Sequence, residues 1–169
     1  MDSMERMEAL SELGGLLETL SSDPHVYVRH GLFPDDAGPS TALRGLAAQV
    51  HALVAELHTY WRQYASGGTG LASVPQIEAG LEPFDAGAAV DLMTTLAVDD
   101  LVWPGSAHMD RDEARRTATR VVELLGQDAT WWANRDAHSS YAVTACTADG
   151  VIAGSDGARF AILIQVGED

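Results

Sequence analysis

The densest group of potential metal ligands in this sequence begins with two adjacent carboxylates, Asp99 and Asp100, and continues with His108, Asp110 and Asp112. Imidazole and carboxylate side chains spaced two residues apart can hold a divalent cation if their loop folds back on itself. Acidic residues also favour helix N-termini, where they accept hydrogen bonds from free amides and complement the helix dipole. We interpret the group as helix-capping residues and predict no metal or other cofactor. His108, Asp110 and Asp112 are the residues that a metal would use.

The residue types of a nucleophilic triad occur together in one short stretch that contains Asp136, His138 and Ser139. A working triad needs serine, histidine and acid to converge from separate elements onto an oxyanion hole, and neighbours along one loop do not do this. Cys146 is predicted to lie in mid-strand on a core face, where a cysteine behaves as a small hydrophobic residue. The sequence therefore favours a binding protein over an enzyme without deciding between them.

Three histidines are candidates to line a ligand pocket between helices and sheet, and these are His51, His58 and His138. His51 and His58 share one face of a predicted long helix. Seven residues along a helix correspond to about 10 Å, so one metal ion cannot join them directly. With neighbouring aromatic side chains, a pocket of this kind would make the chain a small enzyme or ligand-binding protein.

Two adjacent tryptophans, Trp131 and Trp132, are candidates for an interaction surface, because large aromatic side chains dominate binding hot spots. In regular structure, neighbouring side chains cannot both face one core. At least one of the two is expected to meet a second layer of the protein or a partner.

The charge balance restricts the classes of partner. The chain has 25 acidic and 10 basic residues among 169, which gives a formal net charge of −15. Such a charge repels nucleic-acid phosphates and anionic membrane surfaces, so neither direct nucleic-acid binding nor membrane binding is predicted. We favour solubility as the role of this charge. The functional alternatives are attraction to a basic partner and mimicry of nucleic acid.

Other features of composition predict a cytoplasmic protein. Every hydrophobic segment is interrupted before it reaches the ~20 apolar residues that a membrane span needs. A single cysteine excludes an internal disulfide. The acidic, polar first residues do not resemble a secretory signal.

Helix signals fill the first three-quarters of the chain. A stripe of apolar residues predicts a helix over 3–20, and this stripe contains Met4, Met7, Leu10, Leu13, Leu17 and Leu20. A second stripe predicts a long helix over about 41–64. Asp85 and Asp110 are expected to cap two further helices, the second of which ends before Gly126.

The last quarter of the chain predicts a three-stranded antiparallel meander. Its strands cover 141–148, 151–155 and 158–166, joined by turns at Asp149-Gly150 and Asp156-Gly157. In this register both sheet faces are apolar. One face carries Cys146, Val151, Phe160, Ile162, Ile164 and Val166, and the other carries Tyr141, Val143, Ile152, Ala161 and Leu163.

Something must cover the last strand, because a solvated edge strand does not usually carry apolar residues on both sides. Cover is expected either from another strand of the same chain or from a second copy of the protein. The own-chain candidates are a short β-prone run near Val26, interpreted as an edge strand, and the segment around Trp131. The second apolar face provides further interaction candidates, which are Tyr141, Val143, Ile152 and Leu163.

These patterns predict one α+β domain over 1–169, in which a mostly helical part over about 1–126 packs on a small C-terminal antiparallel β-meander over about 138–167. Four helices are expected on the core face of the sheet. The leading functional hypothesis is a protein-interaction or regulatory module of the inhibitor, immunity or adaptor type, acting through its acidic surface or its second apolar sheet face. Its partner is another protein or a second copy of itself. The alternatives are the small enzyme or ligand-binding protein described above and a structural subunit of a larger assembly.

Overall fold

The computed structural model describes residues 3–33, 42–61, 72–103, 105, 107–135 and 148–167. These residues form five helices, which are α1 (Ser3–Leu20), α2 (Ala42–Trp61), α3 (Val74–Gly80), α4 (Ala86–Val98) and α5 (Arg111–Leu125). They also form five strands, which are β1 (Val26–Leu32), β2 (Glu82–Phe84), β3 (Thr130–Ala133), β4 (Ala148–Ser155) and β5 (Arg159–Gly167). None of these helices is both long and apolar enough to span a membrane.

The strands form one antiparallel sheet in the order β1-β5-β4-β3-β2, which places the last strand of the chain at its centre. On one side β5 pairs with β1, where Tyr27 lies opposite Ile164. On the other side it pairs with β4, where Ile152 lies opposite Leu163. The expectation that a strand near Val26 covers the last strand is confirmed, and β1 is itself an edge strand.

Helices cover both faces of the sheet, because both faces are apolar. Under α1, α4 and α5 lies one core, which includes Leu13, Met93, Val121, Trp131, Ile152 and Leu163. Under α2 and α3 lies the other, which includes Leu46, Val50, Ile77, Phe160, Ile162 and Ile164. The α+β class and the division of β4 and β5 side chains between the two faces are confirmed. Four helices were expected on one face of the sheet. This prediction is wrong, because the five described helices are divided between its two faces.

The predicted turn at Asp149-Gly150 is wrong. β4 continues through both residues, with Asp149 opposite Val166 in the ladder to β5. The Asp149 carboxylate is buried and accepts a hydrogen bond of 2.7 Å from the Asn134 side chain. In a turn the Asp149 carboxylate would be exposed to water. In the sheet it is buried, and the Asn134 side chain provides a hydrogen-bond partner. Most of the predicted strand over 141–148 lies outside the described residues.

The predicted turn at Asp156-Gly157 is confirmed. Gly157 has a φ of 97°, a conformation that side chains with a Cβ rarely adopt. The Asp156 carboxylate accepts hydrogen bonds from the amides of Ala158 and Arg159 at 2.9 and 2.7 Å. These contacts fix the turn between β4 and β5.

Helix boundaries follow the capping signals closely. Asp85 and Asp110 are the N-caps of α4 and α5, and Gly126 ends α5. Helix α3 was not predicted, although Ser73 and Gln76 form a capping box with a proline in the first turn. The helix is only seven residues long, and its apolar stripe is correspondingly short.

The first two turns of α1 differ from the predicted buried stripe. Leu13, Leu17 and Leu20 are buried, but Met4 and Met7 are 67% and 71% exposed. Each three-residue step falls about 60° short of a full helical turn, and three such steps separate Met4 from Leu13. Met4 therefore lies about 180° around the helix from Leu13.

Candidate functional site

Three of the six predicted interaction residues lie in the core and not on the surface. Trp131, Ile152 and Leu163 are buried in the core under α1, α4 and α5. Trp132 is partly buried against the second core, so the two adjacent tryptophans do face different layers. Because helices cover both faces of the described sheet, its apolar faces are not open to a partner. Two further candidates, Tyr141 and Val143, lie outside the described residues.

Two of the three predicted pocket histidines lie within the described residues. His51 and His58 are both partly buried on α2. The Nδ1 atom of His58 is buried without a hydrogen-bond partner in the part of the chain that the structure describes. His138 lies outside that part.

Asp110 has the capping role that the sequence predicted. The Asp110 carboxylate accepts a hydrogen bond of 2.9 Å from the Glu113 amide. Asp112 lies exposed in the same first turn, near the positive end of the helix dipole. Across the described ranges, no three His, Cys, Asp or Glu side chains are arranged to hold a metal ion.

His108 belongs instead to a cluster with Asp23 and Asp100, which we call the histidine cluster. Its Nδ1 lies 2.9 Å from Asp23 Oδ2, in the turn between α1 and β1. Its Nε2 lies 3.5 Å from Asp100 Oδ2, in the loop after α4, which is long for a hydrogen bond. The three side chains are only 12% to 16% exposed. His25, which is much more exposed, approaches the other Asp23 oxygen at 3.2 Å.

Backbone contacts hold the loop that carries Asp100. The Asp100 carboxylate accepts hydrogen bonds from the Val102 and Trp103 amides at 2.8 and 2.7 Å. The His108 amide donates to the Val98 carbonyl at 2.8 Å, which brings the two ends of the loop together. The histidine cluster is thus positioned by local turns on both sides.

Gln165 ties the same loop to the centre of the sheet. This buried side chain donates from Nε2 to the carbonyls of Leu96 and Asp99, at 2.6 and 2.7 Å. Its Oε1 accepts a hydrogen bond of 2.9 Å from the Leu101 amide. One side chain of β5 therefore satisfies three backbone groups at the end of α4, where helix carbonyls lack partners within the helix.

The environment of Asp100 favours its ionised form. Burial works to raise the pKa of Asp100, but hydrogen bonds from the Trp103 and Val102 amides and the nearby His108 and His25 rings outweigh it. The pKa therefore lies below the usual value of 3.8.

The histidine cluster links two loops through side-chain contacts. In a nucleophilic triad, one ring nitrogen meets a carboxylate and the other meets the nucleophile. Here both nitrogens of His108 face carboxylates, those of Asp23 and Asp100. The nearby Ser21 hydroxyl donates to the Val26 carbonyl. This arrangement fits an electrostatic tie between the α1–β1 turn and the α4–α5 loop.

An exposed surface of different chemistry lies on the first two turns of α1. It consists of Met4, Glu5, Met7 and Glu8, all four of which are exposed, and we call it the α1 surface. The other large hydrophobic side chains exposed among the described residues, Leu32 and Trp103, lie on separate elements.

The charges of the α1 surface are available to a partner. Further along the helix, Glu12 is already paired with Arg120 at 2.8 Å. Neither Glu5 nor Glu8 forms an ion pair with any residue in the described ranges. The α1 surface therefore combines two apolar side chains with two carboxylates that form no ion pair within the described residues.

No match to this chain was found among protein-family models, curated proteins or solved structures.

Sequence reasoning missed both the histidine cluster and the α1 surface. No local spacing in the sequence relates Asp23 to His108. The exposure of Met4 and Met7 had a signal in the sequence, namely the repeated three-residue steps that rotate the stripe around α1.

Proposed function

We propose that this protein is a cytoplasmic protein-interaction or regulatory module, of the inhibitor, immunity or adaptor type, that binds a basic protein through the α1 surface. The observation that carries the proposal is the exposure of Met4 and Met7, at 67% and 71%, beside Glu5 and Glu8, whose carboxylates form no ion pair within the described residues.

The net charge supports a basic partner. A formal charge of −15 attracts cationic surfaces at long range and accelerates their association. The same charge disfavours nucleic-acid phosphates and anionic membranes as direct partners. The cytoplasmic location is part of the proposal and is supported by a composition with one cysteine, which allows no internal disulfide.

The methionines support a contact surface rather than a purely electrostatic one. Methionine is unbranched and polarisable, so it adapts to irregular partner surfaces. Met4 and Met7 lie three residues apart, and side chains at this spacing are neighbours on a helix. A basic partner segment with apolar residues would bury both methionines and pair with Glu5 and Glu8.

Affinity capture in the native host, followed by native mass measurement, tests the proposal. Wild type is expected to retain one basic protein in stoichiometric amount at moderate salt. Combining Met4→Gln with Met7→Gln should abolish retention without affecting folding, because both side chains are exposed. The matched control is Leu32→Gln, which removes an exposed apolar side chain from β1 and should leave retention unchanged.

The charge contribution is tested separately. Combining Glu5→Gln with Glu8→Gln should weaken retention and reduce its dependence on salt. Combining Glu82→Gln with Asp128→Asn removes the same charge from exposed positions elsewhere and should have little effect. The proposal would be contradicted if the protein were a monomer that retains no partner. It would also be contradicted if the methionine and glutamate substitutions in α1 left retention unchanged.

The same experiment distinguishes binding of another protein from self-association. β1 is a seven-residue edge strand, and an edge strand can pair with a second copy of the chain. A native mass of two copies without another protein would favour this homodimer. A mass of many copies would favour a structural subunit of a larger assembly.

A further inference from the structure

An open groove of about 470 Å³ lies between α4 and the β2 edge of the sheet. This volume falls within the range of small-molecule sites. Its apolar wall consists of Phe84, Leu92, Leu96 and Leu101, and its polar groups include Asp91 and Arg135. None of the residues that line the groove belongs to α1.

Arg135 is the unusual member of this lining. Three arginines among the described residues are partly buried, namely Arg29, Arg135 and Arg159. Arg29 pairs with Glu56 at 3.4 Å and Arg159 pairs with Asp156 at 2.9 Å. Arg135 has no ion pair with any carboxylate in the described ranges, although the chain carries 15 more acidic than basic charges.

The position of Arg135 is fixed by the sheet beneath it. A Cβ atom built on Gly150 would lie 3.2 Å from Arg135 Cδ and 2.6 Å from a Leu96 methyl carbon. The arginine stem therefore lies close over Gly150, beside the apolar wall of the groove. Glycine at this place in β4 leaves room for both side chains.

The carboxylate in the groove does not neutralise Arg135. Asp91 already forms an ion pair of 2.8 Å with Arg115 of α5. Among the described residues, the Arg135 guanidinium is thus a cation without a counterion at the side of an apolar groove. This is the arrangement that recognises a carboxylate attached to an apolar body.

We propose that this groove binds a small amphiphilic carboxylate, with its alkyl chain against Phe84, Leu92 and Leu96 and its carboxylate on Arg135. This binding activity is independent of the protein interaction proposed above. Either can fail without the other, because the two use separate surfaces.

The test is titration of the full chain with octanoate, followed by calorimetry and by chemical-shift mapping, at about 0.15 M salt to screen the overall charge. Saturable binding of one octanoate per chain is expected, with shifts at Leu92, Leu96 and Leu101. Octanol and octylamine have the same chain without the carboxylate, so both should bind much more weakly.

Two variants test the site. Arg135→Gln should weaken octanoate binding by about tenfold or more, because it removes a charge-assisted hydrogen bond. The matched control is Arg116→Gln, which removes an exposed arginine from α5 and should leave binding unchanged. Ala88→Leu fills the groove from α4 without touching Arg135, so it should also weaken binding and serves if the first variant does not fold.

Absence of saturable binding, equal binding of octanol and octanoate, or equal weakening by Arg135→Gln and Arg116→Gln would each overturn the proposal. Chemical shifts that map outside the groove would do the same.

Discussion

His108 Nδ1 lies 2.9 Å from Asp23 Oδ2, and this contact joins the loop before α5 to the turn after α1. The two residues are far apart in the sequence and come from elements that pack on the same face of the sheet. With Asp100 on the other side of the ring, the contact ties two connecting segments that share no strand ladder. The histidine cluster therefore contributes to the order of both loops.

Replacing the central histidine should loosen this tie. His108→Gln keeps a polar side chain but loses the contact to at least one carboxylate, so we expect a loss of about 1–2 kcal/mol in the free energy of unfolding. Urea denaturation at neutral pH measures it. His25→Gln is the control, because this ring contacts the same Asp23 carboxylate but is 59% exposed. Equal effects of the two substitutions would contradict the assigned role of His108.

The contribution of Asp100 to the stability of the fold should depend on pH. Its pKa in the folded chain lies below the usual 3.8, so the ionised carboxylate stabilises the fold above that value. This contribution is lost as the pH falls through the lowered pKa of the folded state. The stability difference between wild type and Asp100→Asn should therefore be largest above pH 3.8 and shrink in more acidic solution.

Urea denaturation of wild type and Asp100→Asn across a pH series measures this difference. Asp128→Asn, at an exposed position after α5, is the matched control and should show a small difference throughout. A difference for Asp100→Asn that grows as the pH falls would show that the sign is wrong.

Replacing Gln165 should destabilise the backbone at the end of α4. Gln165→Leu has a similar shape but leaves the Leu96 and Asp99 carbonyls and the Leu101 amide without their partner. We expect a loss of about 2–4 kcal/mol in unfolding free energy, because unsatisfied buried polar groups are costly. Hydrogen exchange should also become faster at the Leu101 amide. Gln127→Leu, at an exposed position, should change neither quantity.

Replacing each of two glycines with alanine should change the stability of the fold in opposite directions. A Cβ on Gly154 of β4 would lie 2.5 Å from the ring of Trp131, so Gly154→Ala should destabilise the fold by about 1–3 kcal/mol. A Cβ on Gly15 in the middle of α1 meets nothing within 4 Å. Gly15→Ala should therefore stabilise the helix by about 0.5–1 kcal/mol. Thermal unfolding of both variants checks the pair, and a lower melting temperature for Gly15→Ala would contradict it.

The structural features that could be predicted from the sequence are those encoded by local signals. The N-caps Asp85 and Asp110 define helix starts through contacts three residues away, and alternation in β5 assigns its two faces. The histidine cluster and the Gln165 contacts depend on which elements become neighbours, and no periodic pattern encodes that. Asp149-Gly150 shows the same limit, because a dipeptide typical of turns is held in a strand by its partner Asn134.

Site-specific crosslinking in the native host can detect a basic protein bound at the α1 surface. A photoreactive amino acid placed at Met7 should crosslink one basic protein, and the same group placed at exposed Gln127 should not. Combining the Met7 probe with Glu5→Gln and Glu8→Gln should reduce the yield of that crosslink. No crosslink at position 7, or the same set of proteins at both positions, would contradict the proposed binding at this surface.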